Sequence, residues 1–232
     1  MRLGLTTTVV GGKLNIFDSE QRRFVTGGIT VDASKVTAVN GVKLLKAGQV
    51  MGKNGSSHKY EPLTDKVAAK LATGVVGSNN AITFTAVVPG TDAEKIKVQL
   101  LDPSANSQAL AVSVSGDTIV VSLKTGVGGA IESTAEEVIA AVNAHLVAKT
   151  LVTAANTGAS TGKGVVAAVA ATALDDGGDW NVTPSCVLAE DVDVTGGDTC
   201  ASAVDMARLI GARLPATIKT EVLAVLKGIS VV

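Results

Sequence analysis

Residues 110–123 read LAVSVSGDTIVVSL. Leu110, Val112 and Val114 alternate with small or polar residues, Ser115-Gly116-Asp117 interrupts them, and Ile119, Val121 and Leu123 resume the alternation. Side chains on a strand repeat every two residues, so the pattern predicts a hairpin with one apolar face. Upstream, Ile82, Phe84 and Ala86 alternate in the same way. So do Ile96, Val98 and Leu100, a run that Asp102-Pro103 closes. Downstream the period changes. Ser133-Thr134-Ala135-Glu136-Glu137 opens a helix, with either Ser133 and Glu136 or Thr134 and Glu137 able to form a capping box. Val138, Ile139, Val142 and Leu146 then fall on one helical stripe. A Gly/Ser/Thr loop follows over residues 156–164, and the small apolar residues 165–174 read as another strand. Residues 66–179 are therefore expected to form a helix packed on an antiparallel sheet, an α+β module.

The flanks have a different texture. Residues 1–65 are polar, punctuated by glycine and strand-like. Val10-Gly11-Gly12-Lys13 is a turn signal, and Phe24-Val25 leads into the break Gly27-Gly28. Ile29 to Val31 reads as a short strand. Val42-Lys43-Leu44-Leu45 precedes Ala47-Gly48 and Val50-Met51-Gly52. Asn54-Gly55-Ser56-Ser57 reads as a flexible loop, and Tyr60-Glu61-Pro62-Leu63 as an extended exit. In the last part, Val187-Leu188-Ala189 runs into the acidic turn Glu190-Asp191-Val192-Asp193, then Gly196-Gly197-Asp198. Residues 201–214 fit strand or helix. Residues 217–226 read as a helix with Ile218, Val222, Val225 and Leu226 on one face and Gly228 as its C-cap. No long heptad run and no repeat of 20–50 residues occurs.

Composition narrows the function. Of 232 residues, 46% are apolar but only 2% aromatic, with 25 glycines, so the chain packs with small side chains and many turns. It lacks the flat rings that anchor most ligand pockets or stack bases. Twenty basic and 21 acidic residues leave a net charge of −1, without the basic surplus that phosphate binding needs. No nucleic-acid partner is expected. No stretch of 18 apolar residues predicts a membrane span, and the start MRLGLTTTVVGG lacks the features of a signal peptide. We therefore expect no membrane partner and assembly in a cytosol.

Chemistry is equally sparse. The two histidines, His58 and His145, are expected to be solvated, His145 near a helix end where a cation suits the dipole. Cys186 and Cys200 are too far apart for a CxxC unit. A disulfide across the acidic loop and two buried thiols both fit their spacing. Gly158-Ala159-Ser160-Thr161-Gly162-Lys163-Gly164 misses the phosphate-loop pattern by one residue and by the hydroxyl after lysine, and reads as a flexible loop. Asp191, Asp193 and Asp198 hint at a calcium loop, but Ser202 stands where an acid would close it. Trp180 is either a lid on a small core or an interface anchor. No catalytic residue, cofactor or metal is expected, and the chain is not read as an enzyme.

Two segments carry a family likeness. Lys46-Ala47-Gly48-Gln49-Val50-Met51-Gly52-Lys53, followed by Tyr60-Glu61-Pro62, is the first. Cys186-Val187-Leu188-Ala189-Glu190-Asp191-Val192-Asp193-Val194-Thr195, followed by Gly196-Gly197-Asp198, is the second. In this order they resemble the lambda-type head decoration proteins of tailed bacteriophages. About a hundred residues separate Tyr60-Glu61-Pro62 from the second segment. That intervening stretch is similar to a small module of phage structural proteins, carried by Lys95-Ile96-Lys97-Val98, Asp102-Pro103, Val114-Ser115-Gly116-Asp117 and Glu137-Val138-Ile139-Ala140-Ala141-Val142-Asn143.

The resemblance implies a mainly β protein with an α+β part. Residues 1–65 and 180–232 would form a β-tulip-like, capsid-docking base, with an N-terminal arm over about 1–34. Residues 66–179 would be an inserted domain projecting outward. It further implies a capsid decoration (cement) protein, a homotrimer on the outer surface of the virion, bound to the major capsid protein of the same virus. Contacts with capsid or sister subunits are expected at Thr6, Thr7, Thr8, Val9, Val10, Lys46, Gly48, Lys53, Glu190, Asp191 and Asp193. A tail, fibre or shell component, or a module binding a host-surface glycan, are the alternatives.

Overall fold

The computed structural model describes residues 15–232. In chain order, the first part supplies β1 (Arg23–Phe24), β2 (Ile29–Val31), β3 (Leu44–Leu45), β4 (Val50–Lys53) and β5 (Tyr60–Pro62). The middle supplies β6 (Lys70–Thr73), β7 (Ile82–Ala86), β8 (Lys97–Leu101), β9 (Ala111–Ser115), β10 (Thr118–Ser122), α1 (Ala135–Ala144), α2 (Ala148–Leu151), β11 (Val152–Asn156) and β12 (Val169–Ala173). The last part supplies β13 (Pro184–Leu188), β14 (Val192–Asp193), β15 (Thr199–Ala201), β16 (Ala203–Leu209), α3 (Thr220–Val225) and β17 (Ile229–Val231). The chain is mainly β, with few and short helices. It divides into two compact units. One, the base, joins residues 15–64 to Asn181–Val232, and the other, the insert, is Asp65–Trp180.

In the base, the first and last parts of the chain share one sheet. Its strand order is β1-β16-β13-β4-β5-β2-β15, with β17 added in parallel against β16, and β3 pairs β14 beside it. β4 pairs antiparallel with β13 (Val50↔Val187) in the middle of the sheet and β2 with β15 (Val31↔Thr199) at its edge, so strands far apart in sequence join the two parts of the chain. Val31, Met51, Cys186, Leu188, Val194 and Ala203 form the centre of its core. The ambiguous residues 201–214 are strand over Ala203–Leu209. They lie between β13, β1 and β17, and their alternation buries Ala207 and Leu209 while exposing Met206 and Arg208.

Two details of the C-terminal reading change. Val225 is 40% exposed, because α3 is short and buries only Ile218, Val222 and Leu226 around it. Gly228 does not cap the helix with a left-handed residue. It lets β17 approach β16, where an added Cβ would meet the carbonyl oxygen of Asp205.

In the insert, a four-stranded sheet (β12-β8-β10-β9) and a three-stranded sheet (β11-β7-β6) share one core with α1 and α2. The 110–123 stretch is the β9–β10 hairpin, in which Ser115 faces Thr118 across Gly116-Asp117 and Gly116 has φ +57°. The expectation of an antiparallel sheet fails at one pair: β10 pairs with β8, in parallel (Val98↔Ile119). β10 carries Ile119-Val120-Val121, with β-branched residues for both faces, and takes the inner slot. β9 carries Ser113 and Ser115 on its outer face and takes the edge. Residues 102–110 are long enough to carry the chain past that slot.

The helix starts where the pattern put it. Thr134 Oγ1 accepts the Glu137 N–H (3.3 Å), and the Glu137 carboxylate accepts the Thr134 N–H (2.9 Å), completing a capping box. The Glu137 carboxyl is held below its ordinary range chiefly by the Lys124 ammonium at 2.9 Å. Ser133, the other candidate, is buried and accepts the Lys124 N–H (2.7 Å). Leu146 does not join the buried stripe. α1 stops at Ala144, and Leu146 is 76% exposed. Asn143 seals α1 to β11, its amide donating to the Ala154 carbonyl (2.8 Å) and accepting the Ala154 N–H (2.9 Å).

Candidate docking surface

The two segments that carry the family likeness meet in the base. Lys46, Ala47, Gly48 and Gln49 make a tight turn, closed by Gln49 N–H to the Lys46 carbonyl (3.1 Å), with Gly48 at φ +90°. A positive φ at the third position defines a type II turn and calls for glycine there. The turn docks on the end of β13. The Gly48 N–H donates to the Leu188 carbonyl (2.8 Å), and the Leu188 N–H donates to the Gln49 carbonyl (2.9 Å). One Asp191 oxygen accepts the Ala47 N–H (2.8 Å) and the other pairs with Lys46 Nζ (2.9 Å). Both side chains of that ion pair are at least half exposed, so its share of stability is at most about 1 kcal/mol. Its effect is to fix the shape of a surface.

Glu190, next to Asp191, also lines a groove of about 330 Å³ that the sequence did not disclose. Residues 16–18 and β1 both run along β16. Phe17 bridges to Leu209, the Asp18 N–H donates to the Arg208 carbonyl (2.9 Å), and Phe24 faces Val204. This brings Phe17 and Phe24, two of the chain's three phenylalanines, to one place. The Arg22 guanidinium lies between them, 4.7 Å from the Phe17 centroid and 5.8 Å from that of Phe24. Neighbouring arginines are tied to carboxylates: Arg23 to Asp205 (2.8 Å) and Arg208 to Asp18 (3.0 Å). The Asp205 carboxyl is held below its ordinary range, first by its hydrogen bond from Arg23. Exposed aromatic side chains and arginine are what protein interfaces enrich.

The remaining expected contacts are scattered or undescribed. Thr6, Thr7, Thr8, Val9 and Val10 lie outside the described residues, as does the turn signal at residues 10–13. Lys53 is exposed at the far end of β4, opposite Tyr60. Asp193 pairs on β14 with Leu44 and accepts the Thr195 N–H (2.8 Å), apart from the Lys46–Asp191 tie. A second exposed apolar feature is the turn Val39-Asn40-Gly41-Val42. Its outer residues exchange both backbone bonds (2.8 and 3.1 Å), and Val39 is 71% exposed. The Asn-Gly pair between two valines was a legible hairpin signal.

The features set aside as decoys have other partners. In residues 158–164, the Gly162 carbonyl accepts the Glu136 N–H (2.8 Å) and the Gly164 carbonyl accepts the Ala135 N–H (3.1 Å). Backbone oxygens thus occupy the helix N-terminus where an anion would sit. The segment is a cap for α1 rather than a loose loop. His145 Nδ1 accepts the Ala148 N–H (3.1 Å), which ties the half-buried imidazole to the start of α2. Asp198 pairs with Lys59 and accepts the Ala33 N–H (2.9 Å), so the three aspartates of the acidic turn face three different sets of partners. Trp180 is half-buried in the insert, with Lys66 Nζ 4.8 Å from its ring.

Both cysteines are free. Cys186 is buried and Cys200 is exposed on the edge strand β15, which corrects the reading of two buried thiols. Burial pushes the Cys186 thiol up to about 11, so it stays protonated at neutral pH and is a poor nucleophile. In a thiol-labelling assay at pH 8, the native protein should release one equivalent promptly, from Cys200. The second should follow only in denaturant. Two prompt equivalents would mean that the β4–β13 core opens readily.

No family model matches the chain, and neither a curated protein nor a solved structure matches it.

Proposed function

We propose that the chain is a viral structural protein: a capsid decoration (cement) protein that binds the assembled head of a tailed phage and stabilises the shell. On this reading it is not an enzyme. It sits on the outer capsid surface as a homotrimer, with the major capsid protein as its partner and without cofactor, nucleic acid or membrane. One observation supports the reading above the others. The Lys46–Gly48 turn and the Leu188–Asp191 turn, which carry the resemblance, are bonded side by side in the base. A groove lined by phenylalanine and arginine adjoins them at Glu190.

The mechanism is thermodynamic. A protein that binds only the assembled lattice stabilises that state by RT ln(1 + [L]/Kd), about 2.7 kcal/mol per site at a hundredfold excess over Kd. A symmetric oligomer multiplies each weak contact, because the second and third engagements are intramolecular.

The test mixes purified protein with empty heads assembled from the major capsid protein of the same virus. Expected results are co-sedimentation to saturation, a higher temperature of head disruption, and a trimer in velocity sedimentation of the unbound protein. Lys46→Ala should lower head occupancy severalfold while shifting the protein's own melting by no more than about 1 kcal/mol. Absence of co-sedimentation, or closure of the pure protein into shells, would refute the reading. The second outcome would indicate a shell component.

A further inference from the structure

We infer that the Phe17–Arg22–Phe24 groove is the anchor point for a partner segment carrying a single carboxylate among apolar residues. This names the partner's chemistry at the site described above, and it rests on the decoration reading for the partner's identity, a segment of the major capsid protein. Three observations converge. First, Arg22 is the odd member of its neighbourhood. Arg23 and Arg208 each pair with an aspartate, whereas among the described residues Arg22 meets only the two rings. Ring contacts satisfy none of the guanidinium's N–H donors, and a carboxylate matches their fork with two parallel bonds. Second, Phe24 is 48% exposed, so apolar surface lies beside the cation and favours apolar neighbours on the incoming segment. Third, the neighbouring Arg23 and Arg208 already hold aspartates, so the groove offers a single guanidinium to an incoming acid. Charge complementarity therefore selects one acid, not an acidic run.

The groove lies beside β1, which ends one side of the sheet order. No rearrangement of the core is needed to fill it. Both Arg22 and Phe24 are exposed, so substitutions there leave the buried core untouched.

The experiment uses the full chain labelled with nitrogen-15 and three extended, end-blocked octapeptides. One carries a single Glu between valines, the second Gln in its place, and the third four consecutive Glu. The Glu peptide should shift the Arg22 Nε–Hε signal and the backbone signals of Phe17, Phe24 and Ser202 saturably. Its affinity should exceed that of the other two by roughly tenfold, as a charge-assisted bond predicts. Arg22→Gln should abolish the preference of Glu over Gln and lower head occupancy severalfold.

Equal binding of the Glu and Gln peptides, or no shift at millimolar peptide, overturns the inference. So does a response to glucuronic acid with none to the Glu peptide, which would make the groove a glycan site. Arg22→Gln heads as fully decorated as wild type overturn it too, while leaving the decoration reading intact. A Glu-peptide preference in a protein that binds no heads supports the groove's chemistry and removes only the capsid as its partner.

Discussion

Phe84→Ala should lower the insert's melting temperature by more than about ten degrees and leave the base's transition in place. Phe84 is fully buried on β7, with Leu71 of β6 on one side and Ala154 of β11 on the other. Among the described residues it is the largest fully buried side chain, and six buried members of the insert's core are alanines: Ala69, Ala86, Ala93, Ala135, Ala148 and Ala154. Alanines have no rotamers with which to fill a void. The lost burial and the persisting cavity together are expected to cost about 3–5 kcal/mol. A domain of this size has about 5–15 kcal/mol in all. At roughly 4–8 °C per kcal/mol, the insert's melting temperature falls by about 12–40 °C. The two cores share no residue, so the loss stays on one side of the Thr64/Asp65 and Trp180/Asn181 seams. The chain supplies its own reporters, since its one tryptophan, Trp180, belongs to the insert and its one tyrosine, Tyr60, to the base. In the variant, tryptophan fluorescence should change at the lowered temperature while the near-ultraviolet dichroism of Tyr60 keeps its wild-type transition. Both signals moving together would show that the two units melt as one.

The features that local sequence announces are those whose physics is local. Residues 110–123 gave a hairpin because alternation and a Gly-Asp turn are short-range signals, and the capping box at Thr134–Glu137 needs only its own four residues. The change of texture near residues 65 and 180 lies within one residue of the seams between the two units. What failed was long-range. Nothing in residues 97–122 says that β10 rather than β9 lies beside β8, because the choice depends on which strand the rest of the core can cover on both faces. Residues 201–214 could not be assigned alone, since β16 is a strand by virtue of the three neighbours that claim it. The groove was hidden for the same reason. Phe17, Arg22 and Phe24 carry no periodic signal, and only their common attachment to β16 puts two rings about one guanidinium. By contrast, Asn40-Gly41 between two valines was readable, and Leu146 fell off its stripe because nothing in a heptad-like count shows where a helix ends.

Gly48→Ala should destabilise the base and, with it, the surface on which the docking account depends. Two costs fall on one position. Gly48 sits at φ +90°, a region that side chains with a Cβ reach only with strain of about 1–3 kcal/mol. Its Cβ would also lie 2.8 Å from Leu214 Cδ2 and 2.8 Å from Pro215 Cδ. Leu214 can turn aside, but the proline ring cannot. Relief therefore has to come from the turn itself, adding about 1–3 kcal/mol. The turn can yield only by loosening the Gly48 N–H bond to Leu188 and the Ala47 N–H bond to Asp191. A total of about 2–6 kcal/mol is expected on the Tyr60-reported transition, with the Trp180-reported one unmoved. Gly55→Ala is the matched control. Gly55 has no atom within 4 Å of an added Cβ and no positive φ, so the same methyl should change stability by no more than about 0.5 kcal/mol. Head occupancy then separates form from chemistry. Gly48→Ala, with Lys46 and Asp191 both present but displaced, should bind heads as poorly as Lys46→Ala does. If it decorated them normally, the shape of this turn would have no part in recognition.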